Sequence, residues 1–265
     1  MTSKNSADTE RGIRRARQIL HQLGLPHIAD ISIEDFAHLR GALVRSIPLT
    51  NCEGRLSRLN GRAVISVNSS LHYTPRKRFV VAHELGHLEI HKEHNQAELS
   101  LCTEQAISEL YDQGAEQEAN AFASELLMPA DLWRKRCEVA HPSINHISSL
   151  ATEFHTSLTA SAIRFAKLSS ERCCTVYSQD GNIKWAAPGP SFGYYIGKDT
   201  RLHPATLASD YFRTGSCTEG PEEVDASAWL DSLKVHGQDL WEHSIALSSS
   251  RAVISLLWIP EGSDL

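Results

Sequence analysis

The sequence predicts an α+β protein, and two observations support this class. Apolar residues recur at helical spacing through most of the first 168 residues. The chain from Cys173 onwards is instead richer in β-type runs, which are separated by turn residues. The length of 265 residues suits one large domain or two small ones.

Two helices are expected near the amino terminus. Residues 9–24 place apolar side chains at helical spacing, with arginines on the other faces. Ser32 has Asp35 in capping-box position, which predicts a second helix that starts there and continues to Leu43. The apolar stripe expected on that helix consists of Phe36, Leu39 and Leu43.

One strand and two longer helices are expected next. The β-branched run 61–70 predicts a strand. Thr74-Pro75 predicts a helix start, because Thr can cap the helix and Pro fits its first turn. A further helix is expected over 113–128, since Pro129 stops it.

The second half of the chain is predicted to change from helices to strands. Residues 130–139 suggest one helix, and 143–168 suggest two short helices separated by "HTS", a helix-turn-helix pattern. Asp180-Gly181 between two β-type runs predicts a hairpin turn. The run 251–259 predicts a strong terminal strand.

The composition of the chain argues against some classes of function. The net charge of −6 argues against a surface that binds nucleic acid over its whole area. No apolar run is long enough to span a membrane, and the first twenty residues lack a hydrophobic signal core, so we expect a cytoplasmic protein. The six cysteines form no CxxC pair and are expected to be free thiols, with Cys173 and Cys174 starting a strand.

The string "RFVVAHELGHLEIHKEH" (78–94) is the strongest chemical signal. Residues four apart on a helix lie on one face, so the imidazoles of His83 and His87 can converge on one cation. Glu84 is one residue further round and reaches the open side of the metal, where it can take a proton from activated water. His91 is expected to be only a polar helix end, since the extended HExxHxxGxxH pattern needs His at 93.

The string "EQEANAFASELLMP" (116–129) can supply a third ligand. Glu116 lies at the edge of its apolar stripe and could complete a His₂Glu site with an open fourth position. Asn120, one turn on, could accept the free N–H of a ligating histidine. Glu118 points elsewhere on the helix and ranks second as the ligand. The alternative is that Glu116 binds no metal and lies near the start of its helix only because acidic side chains are favoured at a helix N-terminus.

These paired strings resemble the ImmA/IrrE family of zinc metallopeptidases, over roughly residues 11–138. "RKRFVVAHELGHLEIH" and "EQEANAFASELLMP" carry the resemblance, together with the preceding "RLSRLNGRAVISVNSS". It implies a zincin-like domain in which His83, His87 and Glu116 bind one Zn²⁺, with Mn²⁺ as the alternative ion, and Glu84 is catalytic. The polar insert around 95–113 departs from the family by lengthening the gap between the two motif helices.

The remainder resembles the three-part arrangement of IrrE-type regulators. The resemblance implies a peptidase domain (9–138), a helix-turn-helix linker (139–169) and a GAF-like α/β domain (170–265). It also implies cleavage of a helix-turn-helix (XRE-type) repressor, which relieves repression of a stress or DNA-damage response. The strand at 61–70 could receive the substrate by edge pairing.

The alternative is a DNA-binding transcriptional regulator with a structural or vestigial metal site. Residues 141–170 contain only Arg164 and Lys167 as basic residues, and two cations neutralise few phosphates. Direct nucleic-acid binding is therefore not expected.

Overall fold

The described residues form helices and two β-sheets, which confirms the mixed α+β prediction. The computed structural model describes residues 9–59, 62–91, 114–231, 235, 237–247 and 251–265. The chain divides into two compact units: Met1–Leu132 with Glu153–Ser157, and Trp133–Thr152 with Leu158–Leu265. The polar insert around 95–113 lies outside the described residues.

The described part of the amino-terminal unit combines four helices with a three-stranded sheet. The helices are α1 (Thr9–Gln22), α2 (Ile33–Leu39), α3 (Thr74–Ile90) and α4 (Gly114–Leu127). The strands are β1 (Ala42–Ile47), β2 (Gly54–Leu59) and β3 (Arg62–Asn68). Strand β3 lies in the centre, parallel to β1 and antiparallel to β2.

Helix α4 lies between α1 and α3 at very short backbone distances. A Cβ placed on Gly12 of α1 would lie 2.2 Å from the carbonyl oxygen of Glu118. A Cβ placed on Gly86 of α3 would lie 3.0 Å from the Cα of Ala119. Gly86 therefore permits the close approach of α4 to α3.

The second helix is shorter than the sequence predicted. Ser32 caps it as expected, since its hydroxyl accepts the Asp35 N–H at 3.0 Å. The helix nevertheless ends at Leu39, and Gly41 then adopts a φ of 83°. Extending the apolar stripe to Leu43 was therefore wrong: Leu43 belongs to β1, and its exposed fraction is 44%.

Two further predictions for this unit are wrong. The N-cap of α3 is Tyr73, which makes no side-chain capping bond, so Thr74 is already inside the helix. The strand predicted over 61–70 is β3, which has neighbours on both sides along its length. It cannot receive a substrate by edge pairing, because its backbone N–H and C=O groups already bond to β1 and β2.

The carboxy-terminal unit contains a five-stranded antiparallel sheet with the order β5-β4-β8-β7-β6. Its strands are β4 (Arg172–Gln179), β5 (Asn182–Pro188), β6 (Glu222–Asp225), β7 (Asp239–Leu247) and β8 (Ala252–Ile259). The helices are α5 (Ala130–Cys137), which begins in the first unit, α6 (Ile144–Glu153), α7 (Leu158–Leu168) and α8 (Leu207–Thr214). The predicted hairpin is confirmed: Asp180 and Gly181 have φ values of 50° and 77°.

Helices α6 and α7 contact the sheet of this unit. The Thr175 hydroxyl of β4 donates to the Ala162 carbonyl at 2.9 Å, and the Ile144 N–H donates to His243 Nδ1 of β7 at 3.1 Å. Burial lowers the pKa of His243, in keeping with a neutral ring that accepts this bond. The helix pair therefore has a packing role within the unit.

The opposite face of this sheet holds a buried carboxylate. Glu242 of β7 is fully buried and accepts hydrogen bonds from Leu207 N, Ala208 N, Trp229 Nε1 and Ser244 Oγ at 2.7–3.0 Å. Burial raises the pKa of Glu242, although these bonds oppose the change. The carboxylate joins the first turn of α8 to the strand beneath it.

No helix among the described residues is long and apolar enough to cross a membrane. The five described cysteines are free thiols, which is consistent with the sequence prediction, and Cys173 and Cys174 lie buried in β4.

Replacing Gly12 tests the close packing of α1 on α4. We expect Gly12→Ala to lower the free energy of unfolding by about 1–3 kcal/mol, because the new methyl group meets a backbone carbonyl that no rotamer change can move. The matched control is Gly220→Ala, where a Cβ would meet nothing within 4 Å. Urea denaturation of both variants measures the difference, and equal stabilities would contradict the packing argument.

Candidate metal centre

Helix α3 is buried along most of its length, and this places its polar residues inside the unit. His83 and Glu84 are fully buried, and His87 is 9% exposed. Val81 and Leu85 are fully buried apolar residues that anchor the helix. Polar groups in such a position must find partners, because burial without them costs free energy.

Glu116 of α4 meets the two histidines of α3. The Nε2 atoms of His83 and His87 lie 3.0 Å apart. The Glu116 carboxylate lies 3.1 Å from His83 Nε2 and 3.2 Å from His87 Nε2. Ligands at about 2.0–2.1 Å from one tetrahedral zinc ion are separated from each other by about 3.4 Å. The three side chains therefore have nearly the spacing that a shared ion requires.

The hydrogen bond that His83 donates to Asn120 fixes the tautomer of His83. The Asn120 Oδ1 lies 2.9 Å from His83 Nδ1, and an amide oxygen can only accept, so Nδ1 carries the proton in a neutral ring. The lone pair of Nε2 then faces the Glu116 carboxylate and the His87 ring. Acceptors that converge in this way need a cation or an extra proton between them, and a nitrogen–oxygen donor set of this kind fits zinc.

The negative charge of Glu116 suits this residue to bind a cation. Burial acts to raise its pKa, but its contacts with the imidazoles of His83 and His87 outweigh burial, and the pKa lies well below its ordinary value. Glu116 is thus ionised at neutral pH. Among the His, Cys, Asp and Glu residues of the described ranges, His83, His87 and Glu116 form the one group of three whose ligand atoms all lie within 4.8 Å of one another.

Glu84 lies on a different side of α3, against the sheet. A Cβ placed on Gly54, the first residue of β2, would be 2.9 Å from Glu84 Oε1 and 2.4 Å from a methyl carbon of Val80. Only glycine therefore leaves room for Glu84 and the edge strand to meet. The carboxylate is not part of the converging group.

Glu118 lies outside the converging group. His91 lies closer to that group than the sequence indicated. The Glu118 carboxylate lies 3.2 Å from His91 Nε2 and 3.4 Å from Arg11 Nη1. His91 Nδ1 lies 3.4 Å from His87 Nδ1. Burial, followed by the charge of His87, lowers the pKa of His91. The interval of four residues after His87 was the available signal for this contact.

Comparisons with known proteins support a family assignment. No curated protein matches the chain. A solved structure named as a Mycobacterium tuberculosis transcriptional regulator is similar over 95% of this chain and 77% of that chain, with a TM-score of 0.57 and 13% identity, which shows a likeness of fold. Residues 37–166 match the family model of the IrrE N-terminal-like domain. That range contains the converging histidines and Glu116. The resemblance noted in the sequence is thereby confirmed, and residues 37–166 belong to the ImmA/IrrE family.

Proposed function

We propose that this protein is a zinc-dependent endopeptidase that cleaves a helix-turn-helix (XRE-type) repressor and so relieves repression of a stress or DNA-damage response. The observation that carries the proposal is the convergence of His83, His87 and Glu116 within 4.8 Å, next to a helix position where Glu84 is fully buried. Family membership supports both the peptidase activity and the regulatory role. The proposed substrate places the reaction in the cytoplasm.

Each residue of the candidate site would have a separate role in peptide hydrolysis. His83, His87 and Glu116 would hold one Zn²⁺, with Mn²⁺ as the alternative ion, which supplies Lewis-acid activation of water and of the scissile carbonyl. Glu84 takes the proton of the attacking water and delivers it to the leaving amide nitrogen. Asn120 holds the His83 ring so that its Nε2 lone pair stays directed at Glu116 and His87, where the ion would be held.

Strand β2 is the better candidate for receiving an extended substrate. It forms one edge of the three-stranded sheet, and its first residue, Gly54, lies against Glu84. An extended segment added to that edge gains main-chain hydrogen bonds and passes the catalytic carboxylate. This replaces the central strand β3 as the proposed substrate-binding strand.

The remaining parts would serve regulation. We propose three domains, a zincin-like peptidase (9–138), a helix-turn-helix-like linker (139–169) and a GAF-like sensor (170–265). An antiparallel sheet with α8 joined to one face and α6 and α7 in contact with the other supports an α/β carboxy-terminal domain. The contacts of α6 and α7 with that sheet favour a packing or substrate-docking role for the helix pair.

The effect of Glu84→Gln on cleavage tests the mechanism. The amide keeps the size of the side chain but cannot accept a proton, so we expect cleavage to fall by about 10²–10⁴-fold. The assay incubates the full chain and zinc with the repressor encoded beside it, and mass spectrometry identifies the fragments. A chelator should stop cleavage by the wild type.

Zinc binding is the control for that variant. Glu84→Gln should bind one equivalent of Zn²⁺ as tightly as the wild type, since Glu84 is not in the converging group. If Glu84→Gln cleaves the repressor at the wild-type rate, the assignment of Glu84 as the proton carrier is wrong.

Asn120→Ala tests the orientation of His83. Its amide oxygen accepts the Nδ1–H of that ring, and loss of such an outer contact typically weakens metal binding by about 10–100-fold. Competition with a chromophoric chelator measures the zinc dissociation constant. The matched control is Asn145→Ala, an exposed asparagine on α6, which should leave that constant unchanged. Equal constants for both variants would show that Asn120 does not support the site.

A gel shift separates the proposal from a DNA-binding regulator. The similar structure is named as a transcriptional regulator, which makes this alternative specific. With only two basic residues in 141–170, we expect no binding of the isolated full chain to duplex DNA at nanomolar concentrations and physiological salt. Nanomolar binding that weakens steeply with salt would favour the alternative.

A further inference from the structure

We propose that His91, held by Glu118, is a positioning residue for the metal ligand His87. The geometry is a continuous series of side-chain contacts that leads away from the converging group. His87 Nδ1 lies 3.4 Å from His91 Nδ1, and His91 Nε2 lies 3.2 Å from the Glu118 carboxylate. Arg11 of α1 lies 3.4 Å from the same carboxylate oxygen.

The hydrogen-bond directions along this series are determined by the metal site. His87 directs Nε2 at His83 and Glu116, where these residues would hold the ion, and its neutral ring therefore carries a proton on Nδ1. That N–H can donate only to an acceptor, so His91 must offer the Nδ1 lone pair. The proton of His91 is then on Nε2, where the Glu118 carboxylate accepts it. Each donor thus faces an acceptor, and no contact joins two donors.

The two metal-binding histidines are supported in the same manner. Asn120 accepts from His83 directly, whereas Glu118 acts on His87 through one intervening imidazole. Both supporting side chains belong to α4, the helix that also supplies Glu116. The three α4 residues therefore hold the metal site from one side.

Shielding and backbone geometry favour this role over that of a surface ion pair. The side chains of His91 and Glu118 are 14% and 12% exposed, so water competes weakly for their hydrogen bond. The His91 N–H donates to the His87 carbonyl at 3.0 Å, which places the His91 ring one turn beyond its partner. Arg11 also donates to the carbonyl of Ile90 at 2.9 Å and so ties α1 to the same helix end.

Zinc affinity of the full chain tests the inference, which rests on the metal centre of the proposed function and not on peptide cleavage. Replacement of His91 by Phe keeps a ring but removes the acceptor, so we expect the zinc dissociation constant to rise by about 10–100-fold. His91→Gln offers an amide oxygen to the same N–H and should recover part of that loss. The control is His72→Phe, an exposed histidine just before α3, which should bind zinc as the wild type does.

A double-mutant cycle distinguishes a positioning role from a loss of packing. Glu118→Gln should weaken zinc binding less than His91→Phe, and the combination should be no worse than His91→Phe alone, because Glu118 acts through His91. The matched control for the charge change is Glu34→Gln, which removes a partly exposed ion pair with Lys77. Thermal unfolding in excess chelator gives the stability of each metal-free variant.

The possible outcomes distinguish a failure of the metal centre from a failure of the positioning role of His91. If the wild type binds no zinc, the metal centre itself is wrong. If the wild type binds zinc and His91→Phe binds it within about twofold, the positioning role fails while the metal centre stands. Additive losses in the cycle, or a His91→Gln variant no better than His91→Phe, would also overturn the inference. If His91→Phe fails to fold, the comparison of Glu118→Gln with Glu34→Gln decides, and equal zinc affinities would reject it.

Discussion

The close contact between α3 and α4 is the constraint on which the candidate site depends. With glycine at position 86, the backbones approach until the Cα of Ala119 is 3.0 Å from where a side chain would begin. This distance is short enough for a carboxylate one turn from the crossing to reach two imidazoles on the other helix. A larger residue at the crossing would separate the helices, and Glu116 would no longer reach the imidazoles. Packing density thus determines chemistry here, because interiors at crystal-like density do not absorb an extra methyl group without movement.

Buried carboxylates on the same helices join them to α1 and α2. Glu89 of α3 is 2% exposed in its side chain and pairs with Arg15 of α1 and with Arg40, which follows α2, at 2.8 Å or less. Glu125 of α4 pairs with Arg17 of α1 at 2.8 Å. Removing one partner of such a pair leaves a charge buried without compensation, which is strongly unfavourable. Arg15 and Arg17 of α1 therefore have a structural role.

The carboxy-terminal unit uses a carboxylate differently. Glu242 has no cationic partner in its described hydrogen bonds and is satisfied by two backbone N–H groups, an indole and a hydroxyl. Each of these donors also needs a partner inside the core, so the arrangement satisfies both sides. Four donors around one carboxylate leave it no free acceptor site, and we assign it to the architecture of the sheet and α8.

The sequence by itself determined the local features of this protein. The i, i+4 histidines, the Ser32 cap, the Asp180-Gly181 turn and the two helices of 143–168 depend on neighbouring residues alone, and periodicity and turn chemistry identify them. The family resemblance also depends on short strings of neighbouring residues, so it too could be recognised from the sequence.

Tertiary structure decided which neighbour each face of a helix or strand meets. Periodicity showed that Glu116 and Glu118 differ in direction, but only the crossing of α3 and α4 directs Glu118 to His91. Strand order was equally out of reach, because pairing β1 and β2 on either side of β3 joins segments that local pattern does not relate. The second helix was overextended because apolar spacing continued to Leu43, whereas Gly41 and the parallel pairing of β1 ended it earlier.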